Sequence, residues 1–314
     1  MENSDYPLLE QRLGKDAFHR RLLKQVGKEA RLLHQGEGLL RIERVVPLDQ
    51  IVSTFLRLTG LAGSARCGFL GVRLVEQTWH LKKLPAAFDG FRLLQLTDLH
   101  IDLDDALVPV IENLVRQTPH DAAVITGDFR NATTGDYAPC VQNTAEIVAA
   151  CSPNRWGILG NHDFVEMVPS LEQIGLPILL NESAFIERDS ERLWIAGIDD
   201  PHFYHTHDLA AARSLIPSDA CAILLAHSPE IYKEAAASGF DLQLSGHTHG
   251  GQLCLPGGRH LVVPCKLPQK FLKGRWQYKG MPGYTSPGTG SCGVAARLNC
   301  PPEITLHTLR AAPG

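Results

Sequence analysis

No two of the eight cysteines in this 314-residue chain stand as a C-x-x-C pair, which argues against a thiolate-rich structural zinc site. Cys67, Cys140, Cys151, Cys221, Cys254, Cys265, Cys292 and Cys300 are scattered along a chain long enough to bury a core unaided. Reduced thiols in a reducing compartment are therefore expected. Positive charge is not in excess either. Lys and Arg total 30 against 34 Asp and Glu, a net charge of −4, so no overall basic field attracts nucleic acid and no polymeric nucleic acid is expected as a partner. Long apolar runs are missing as well. Met1 to Glu10 is polar and acidic without an apolar core, so no signal peptide is expected. The stretch from Ile51 to Val72 is interrupted by Arg57 and Arg66, whereas a spanning helix needs about 20 apolar residues with few charges. A cytoplasmic location, at most against the inner face of the membrane, follows as the expectation. Matches to N-x-S/T at Asn131 and Asn181 carry no weight without secretion, and neither an internal repeat nor a low-complexity tract is present.

What is there has two textures. Hydrophobic residues make up 44% and charged residues 20%, the balance of an ordinary soluble globular protein. From Leu8 to Leu33 the apolar residues Leu9, Leu13, Leu22, Val26 and Leu33 recur near helical spacing. Between residues 11 and 35 the other faces carry Arg12, Lys15, Arg20, Arg21, Lys24, Lys28 and Arg31 against only Asp16 and Glu29. Two readings stand: a basic amphipathic helix lying on anionic lipid, or a helix packed on the rest of the protein with a solvated charged face. The segment Ile51 to Leu61, with Phe55, Leu56 and Leu58 beside Arg57, would deepen a lipid contact. Residues 1–83 are accordingly expected to form an N-terminal helical extension, peripheral to a membrane on the first reading, and 84–314 the main domain.

After Leu84-Pro85 strands and helices alternate. Phe91 to Thr97, Asp121 to Thr126, Trp156 to Leu159, Leu193 to Ile198, Ala222 to Ala226 and Asp241 to Leu244 read as strands, and Ala106 to Arg116 and Thr144 to Ala150 as helices. That rhythm predicts an α/β domain with helices on its outer faces.

The chemistry lies where these strands end. Asp98-Leu99-His100 follows the first strand, Gly127-Asp128 the second, and Gly160-Asn161-His162-Asp163 the third. His227 follows AILLA, and Gly246-His247-Thr248-His249-Gly250-Gly251-Gln252 follows the last. Carboxyl ends of strands are where open α/β sheets bind ligands. On an extended chain Asp98 and His100 point the same way and reach one ion, and His247 and His249 repeat the arrangement. Carboxylate, imidazole and amide oxygen without thiolate suit Mn²⁺, Fe²⁺, Co²⁺ or Zn²⁺ in an open coordination sphere. The flanking glycines allow tight turns and close backbone approach. Singly each fragment is weak; five strand ends delivering such residues in order are not.

This series, DLH, GD, GNHD, H and GHTHGGQ, resembles the calcineurin-like metallophosphoesterase superfamily. AFDGFRLLQLTDLHID, GHTHGGQ and the tail LNCPPEITLHTL resemble more narrowly its bacterial branch of YkuE- and YaeI-type phosphodiesterases, over about Leu84 to Leu309. The resemblance implies a sandwich of two mixed β-sheets flanked by helices. It also implies that Asp98, His100 and His249 hold one divalent metal, that Asn161, His227 and His247 hold a second, and that Asp128 bridges them. Metals about 3.5–4 Å apart share a hydroxide and clamp the attacked phosphate, with His162 as general acid, oriented by Asp163 or another carboxylate. Mn²⁺, Fe²⁺ and Zn²⁺ all tolerate these ligands.

The chain departs from two wider groups of that superfamily. Protein phosphatases carry GDxxDRG, but Arg130 lies two residues after Asp128, not four; purple acid phosphatases need Tyr where Asn131 stands. The expected activity is hydrolysis of a phosphodiester or pyrophosphate bond, extending to a lipid-linked substrate such as UDP-2,3-diacylglucosamine. The alternatives are a cyclic-nucleotide or other small-molecule phosphodiesterase and, remotely, a non-catalytic scaffold. Asp199-Asp200-Pro201-His202, with His205 and His207, lines a substrate mouth or forms a turn. Trp276, Tyr278 and Tyr284 are expected to serve packing, and Arg297 and Asn299 are further candidates near the site.

Overall fold

A computed structural model describes residues 5–33, 48–260 and 267–312, with side chains described only to residue 27 within the first of these stretches and from residue 50 in the second. Met1 to Ser4, the side chains of Lys28, Glu29 and Arg31, and Cys265 therefore lie outside the described residues. No disulfide joins the seven described cysteines.

In chain order the elements are α1 (Tyr6–Leu13), α2 (Lys15–Leu33), α3 (Leu48–Leu58), α4 (Ala62–Leu70), β1 (Arg73–Leu81), β2 (Arg92–Leu96), α5 (Val108–Arg116), β3 (Ala122–Thr126), α6 (Ala138–Ala150), β4 (Arg155–Ile158) and α7 (Val168–Gln173). There follow β5 (Glu182–Arg188), β6 (Glu191–Gly197), α8 (Leu209–Arg213), β7 (Ala222–Leu225), α9 (Tyr232–Ala237), β8 (Leu242–Ser245), the short pair β9 (Cys254–Leu255) and β10 (Arg259–His260), β11 (Gly274–Tyr278), β12 (Met281–Thr285) and β13 (Glu303–Ala311).

The strands form two mixed sheets, as expected. One runs β1-β13-β2-β3-β4 and the other β11-β12-β8-β7-β6-β5. Within them β2, β3 and β4 are parallel, as are β6, β7, β8 and β12, while β13 and β11 run antiparallel to β2 and β12. The period-2 alternation of a strand divides its side chains between two layers. Thus Leu93 and Val124 face the second sheet and join Ile195, Ile223, Leu225 and Leu244 in the inter-sheet core. Their neighbours Leu94, Leu96, Ala123 and Ile125 face outward against residues of α1, α2, α5, α6 and α7. On the far side Trp194, Ala222 and Leu224 pack against α8, α9, Phe271 and Trp276.

The expected strands and helices all appear, with boundaries shifted by a few residues. The first sheet, however, begins before residue 84: β1 pairs in parallel with β13 from Arg73↔Glu303 to Leu81↔Ala311. Strand β1 alternates exposed and half-buried positions at its start, so it shows no continuous apolar run to mark it. Trp276 and Tyr284 are buried in the two cores and Tyr278 packs against Tyr232, so all three serve packing.

The N-terminal helices are built onto the main domain. Leu9, Leu13 and Phe18 enter the core outside the first sheet. Arg12 bonds Glu172 and Glu182, Arg20 the carbonyl of His205, and Lys24 the carbonyls of Phe203 and Tyr204. These cations do not form a free basic face. Helices α3 and α4 pack through Leu56 and Ala65 against Ala296, Val294 and Leu298 of the loop before β13.

Candidate metal centre

The seven expected ligands converge at one edge of the two sheets, on the loops after β2, β3, β4, β7 and β8. They do not get there on extended chain. Asp98 (φ 50°), His100 (φ 41°), Asp128 (φ 55°), His247 (φ 70°) and His249 (φ 50°) all occupy the left-handed region, which costs energy for residues other than glycine. The same-side alternation expected for Asp98-x-His100 and His247-x-His249 is thus corrected: successive tight turns, not a strand, aim these side chains. Ladder-like bonds hold the turns, since Asp98 N donates to Gly127 O (2.9 Å) and His100 N to Asp128 O (3.1 Å). Two glycines are demanded by close approach. A Cβ on Gly160 would overlap the Asp128 carboxylate, and one on Gly246 the Asp98 carboxylate.

Among the described residues Asp98, His100 and Asp128 make one cluster of donors, and Asp128, His227 and His247 another, each with its donor atoms within 4.8 Å of one another. Asp128 belongs to both. Its Oδ2 lies 3.7 Å from His100 Nε2 and 3.3 Å from His227 Nε2. His249 Nε2 sits 3.4 Å from Asp98 Oδ1 and 3.1 Å from His100 Nε2. Asn161 Oδ1 comes within 3.1 Å of His227 Nε2.

The groups behind these donors fix their aim. His100 and His227 present Nδ1 to the carbonyls of Arg130 (2.8 Å) and Thr126 (2.9 Å), which only accept, so Nδ1 carries a proton and Nε2 faces inward. Arg297 is fully buried behind His249; its Nη1 donates to the His249 carbonyl at 2.9 Å and its Nη2 lies 3.2 Å from His249 Nδ1. Arg130 is turned to structure, its guanidinium bonding the carbonyls of Thr134 and Gly135 and covering the Phe164 ring.

Burying this much charge perturbs it. Burial, then the neighbouring charge of Asp128, pushes the Asp98 carboxyl up to about 6. Burial would likewise raise Asp128, but the facing imidazoles of His227 and His162 hold it well below the usual carboxylate range. His227 shows the reverse contest, with burial overcome by Asp128 and the imidazole held up at about 10. His100 is pushed down to about 3 by burial, and His247 and His249 are also lowered, by burial first. His247 further buries an Nε2 with no hydrogen-bond partner among the described residues, an unfavourable state that a cation relieves. The donor chemistry and this orphaned nitrogen fit divalent metal.

His162 stands beside the donors and belongs to none of the clusters found among the described residues. Its backbone N–H donates to Asp128 Oδ1 (2.8 Å) and its Nδ1 faces the carbonyl of Asn131 (2.8 Å). The ring is therefore oriented by a backbone carbonyl and not by Asp163. That carboxylate instead accepts the N–H groups of Asp128, Phe129, Arg130 and Gly160, stapling the loops after β3 and β4 together. Burial and the charge of Asp128 raise it to about 6.

The Asp199 segment divides its roles. Asp200 caps a turn, accepting from the N–H groups of His202, Phe203 and Tyr204. The His202 ring lies tilted against the His247 ring, centroids 4.1 Å apart, and bonds Glu230 at 2.6 Å, whereas His205 bonds its own turn and His207 pairs with Glu234. Asn299 bonds the Cys254 carbonyl. Asp199 pairs with Arg21 of α2 at 2.5 Å, both fully buried, while Arg21 Nη2 donates to the carbonyl of Asp163 (2.9 Å). Helix α2 thus braces the loop that carries Asn161 and His162. Reading residues along the chain missed this pair, because Arg21 looked like one cation among seven. Arg21→Met should destabilise the fold by about 3–5 kcal/mol, the cost of leaving a buried charge unpaired. Urea unfolding measures it, and an unchanged midpoint would show the pair to be dispensable.

The calcineurin-like phosphoesterase family matches residues 91–251. The chain is 30% identical to the metallophosphoesterase YkoQ of Bacillus subtilis over 69% of its own length and 83% of the relative's. It is 28% identical to YkuE of the same organism, over 81% and 92%, and 26% identical to the phosphodiesterase YaeI of Escherichia coli, over 81% and 97%. Among the described residues no helix is long and apolar enough to cross a membrane. With the family's matched segment carrying the converged Asp and His residues, the chain belongs to the calcineurin-like phosphoesterases, in the company of their bacterial YkuE- and YaeI-type branch, and is a metal-dependent phosphoester hydrolase.

Proposed function

We propose that the protein hydrolyses a phosphodiester or pyrophosphate bond at two divalent ions, one held by Asp98, His100 and His249 and the other by Asn161, His227 and His247, with Asp128 shared. The observation that supports this most is the position of Asp128 Oδ2 between the Nε2 atoms of His100 and His227. Divalent ions such as Mn²⁺, Fe²⁺ or Zn²⁺ supply Lewis-acid polarisation of the phosphoryl group and a water of lowered pKa. His162 acts from the side as general acid. Because its Nδ1 is engaged with the Asn131 carbonyl, Nε2 is the atom that passes a proton to the leaving oxygen.

The finer part of the proposal is a lipid-linked substrate. Ile51, Phe55 and Leu58 are exposed and recur at i, i+4 and i+7 on the face of α3 opposite Leu56. Leu56 itself packs toward the loop before β13 that also carries Arg297, so α3 is seated on that loop and turns its apolar face outward. Such a face suits acyl chains.

The test is a substrate panel on metal-reconstituted protein. Bis-p-nitrophenyl phosphate and vesicle-borne UDP-2,3-diacylglucosamine are both expected to be cleaved, the lipid with the higher kcat/KM. Cleavage of the soluble diester alone, without vesicle binding, would remove the lipid element. Preference for a cyclic nucleotide would replace it, and no hydrolysis of any phosphoester would overturn the proposal.

A further inference from the structure

Cys292 lies in the loop before β13, outside every ligand motif. Its sulfur nevertheless joins His100 and His249 in a cluster whose donor atoms lie within 4.8 Å of one another, the spread expected around one ion with bonds of about 2.0–2.3 Å. The loop is fixed in place by the site itself. Cys292 N donates to Gln252 Oε1 (2.9 Å) and Gln252 Nε2 donates to the Cys292 carbonyl (3.0 Å). Gly293 N donates to Asn131 Oδ1 (2.7 Å), on the residue whose carbonyl orients His162. Further back, Thr289 N and Gly290 N donate to the carbonyls of Thr97 and Asp98. The thiol is therefore carried on backbone pinned to three ligand-bearing loops. An independent sign that these side chains are arranged around an ion is the orphaned, buried Nε2 of His247, whose cluster shares Asp128 with that of His100.

We propose that Cys292 Sγ is a further ligand of the ion held by Asp98, His100 and His249, which tilts this position toward thiophilic divalent metals such as Zn²⁺, Fe²⁺ or Co²⁺ and away from Mg²⁺. The inference rests on the metal-centre reading proposed above. As the sulfur–metal bond forms, the thiol proton passes to solvent. Sγ also lies 3.7 Å from His162 Nε2, so the same sulfur stands beside the proposed general acid.

The experiment uses Co²⁺ as the metal probe on full-length wild type, Cys292→Ser and Cys292→Ala, with folding checked by circular dichroism and bound cobalt counted by elemental analysis. Wild type is expected to show a sulfur-to-cobalt charge-transfer band that Cys292→Ala lacks, and about tenfold or tighter cobalt binding than that variant. Cobalt should also shield Cys292 from iodoacetamide in wild type, while the exposed Cys67 alkylates at the same rate with or without metal. Equal cobalt content with the same spectrum in all three proteins and no shielding would overturn the proposal and leave the metal centre standing. Absence of bound cobalt from all three, wild type included, would overturn the metal centre and this ligand with it.

Discussion

Alanine in place of His162 should lower kcat for phosphodiester hydrolysis by about 10²–10⁴-fold while bound metal stays at the wild-type level. The two effects separate because the side chain and backbone of this residue do different things. The backbone N–H braces Asp128 at 2.8 Å, and alanine keeps it. The imidazole makes its own bond to the Asn131 carbonyl and, in the proposed role, would offer Nε2 to the leaving oxygen. Steady-state kinetics with metal analysis on the same preparations reads both quantities. A substrate with a very acidic leaving group should be cleaved with a smaller loss, because it needs less protonation. Metal and activity falling together would mean that His162 is a ligand and the acid lies elsewhere.

Asp128→Asn should be more damaging, lowering kcat by roughly 10³-fold or more, the equivalent of about 4 kcal/mol in the barrier. The carboxylate is held well below its usual range by the imidazoles around it, so it carries its charge throughout the working pH range. Its Oδ2 lies 3.7 Å from His100 Nε2 and 3.3 Å from His227 Nε2. The amide keeps the shape and much of the hydrogen bonding but removes the charge that would balance the two proposed cations. Circular dichroism should show a folded protein, which separates loss of metal from loss of structure. Wild-type activity in this variant would exclude Asp128 from any bridging role.

How much of this was legible in the chain depends on distance along it. The strand-end residues could be read because each follows a short apolar run within a residue or two, and a strand's end dictates where its next side chains go. The local geometry could not. Five of the seven ligand candidates sit at positive φ, a conformation that Asp, Asn and His visit several-fold more often than other residues but that no pattern announces. Strand β1 carries no such mark, because it is an edge strand, half-exposed along its first residues, without the apolar run of β2 or β3. The brace from α2 was hidden for a different reason. Arg21 and Asp199 are separated by 178 residues, and nothing local distinguishes a cation that will be buried from one that will be solvated. Cys292 was hidden in the same way, since its approach to His100 and His249 is made by bonds from Gln252 and Asn131 that only the folded chain brings together. Asp163 shows the opposite error. Its place next to His162 in sequence suggested a partner for that ring, whereas its carboxylate collects backbone N–H groups from two loops.

The central claim is that one shared carboxylate joins two donor sets into a dinuclear centre. Counting metal per chain in reconstituted wild type and in Asp128→Asn, by elemental analysis after exhaustive removal of free ion, tests it most directly. The account predicts about two equivalents in wild type, as in sites where paired ions act together, falling to one or fewer in the variant. A single equivalent in wild type that survives intact in Asp128→Asn would contradict it.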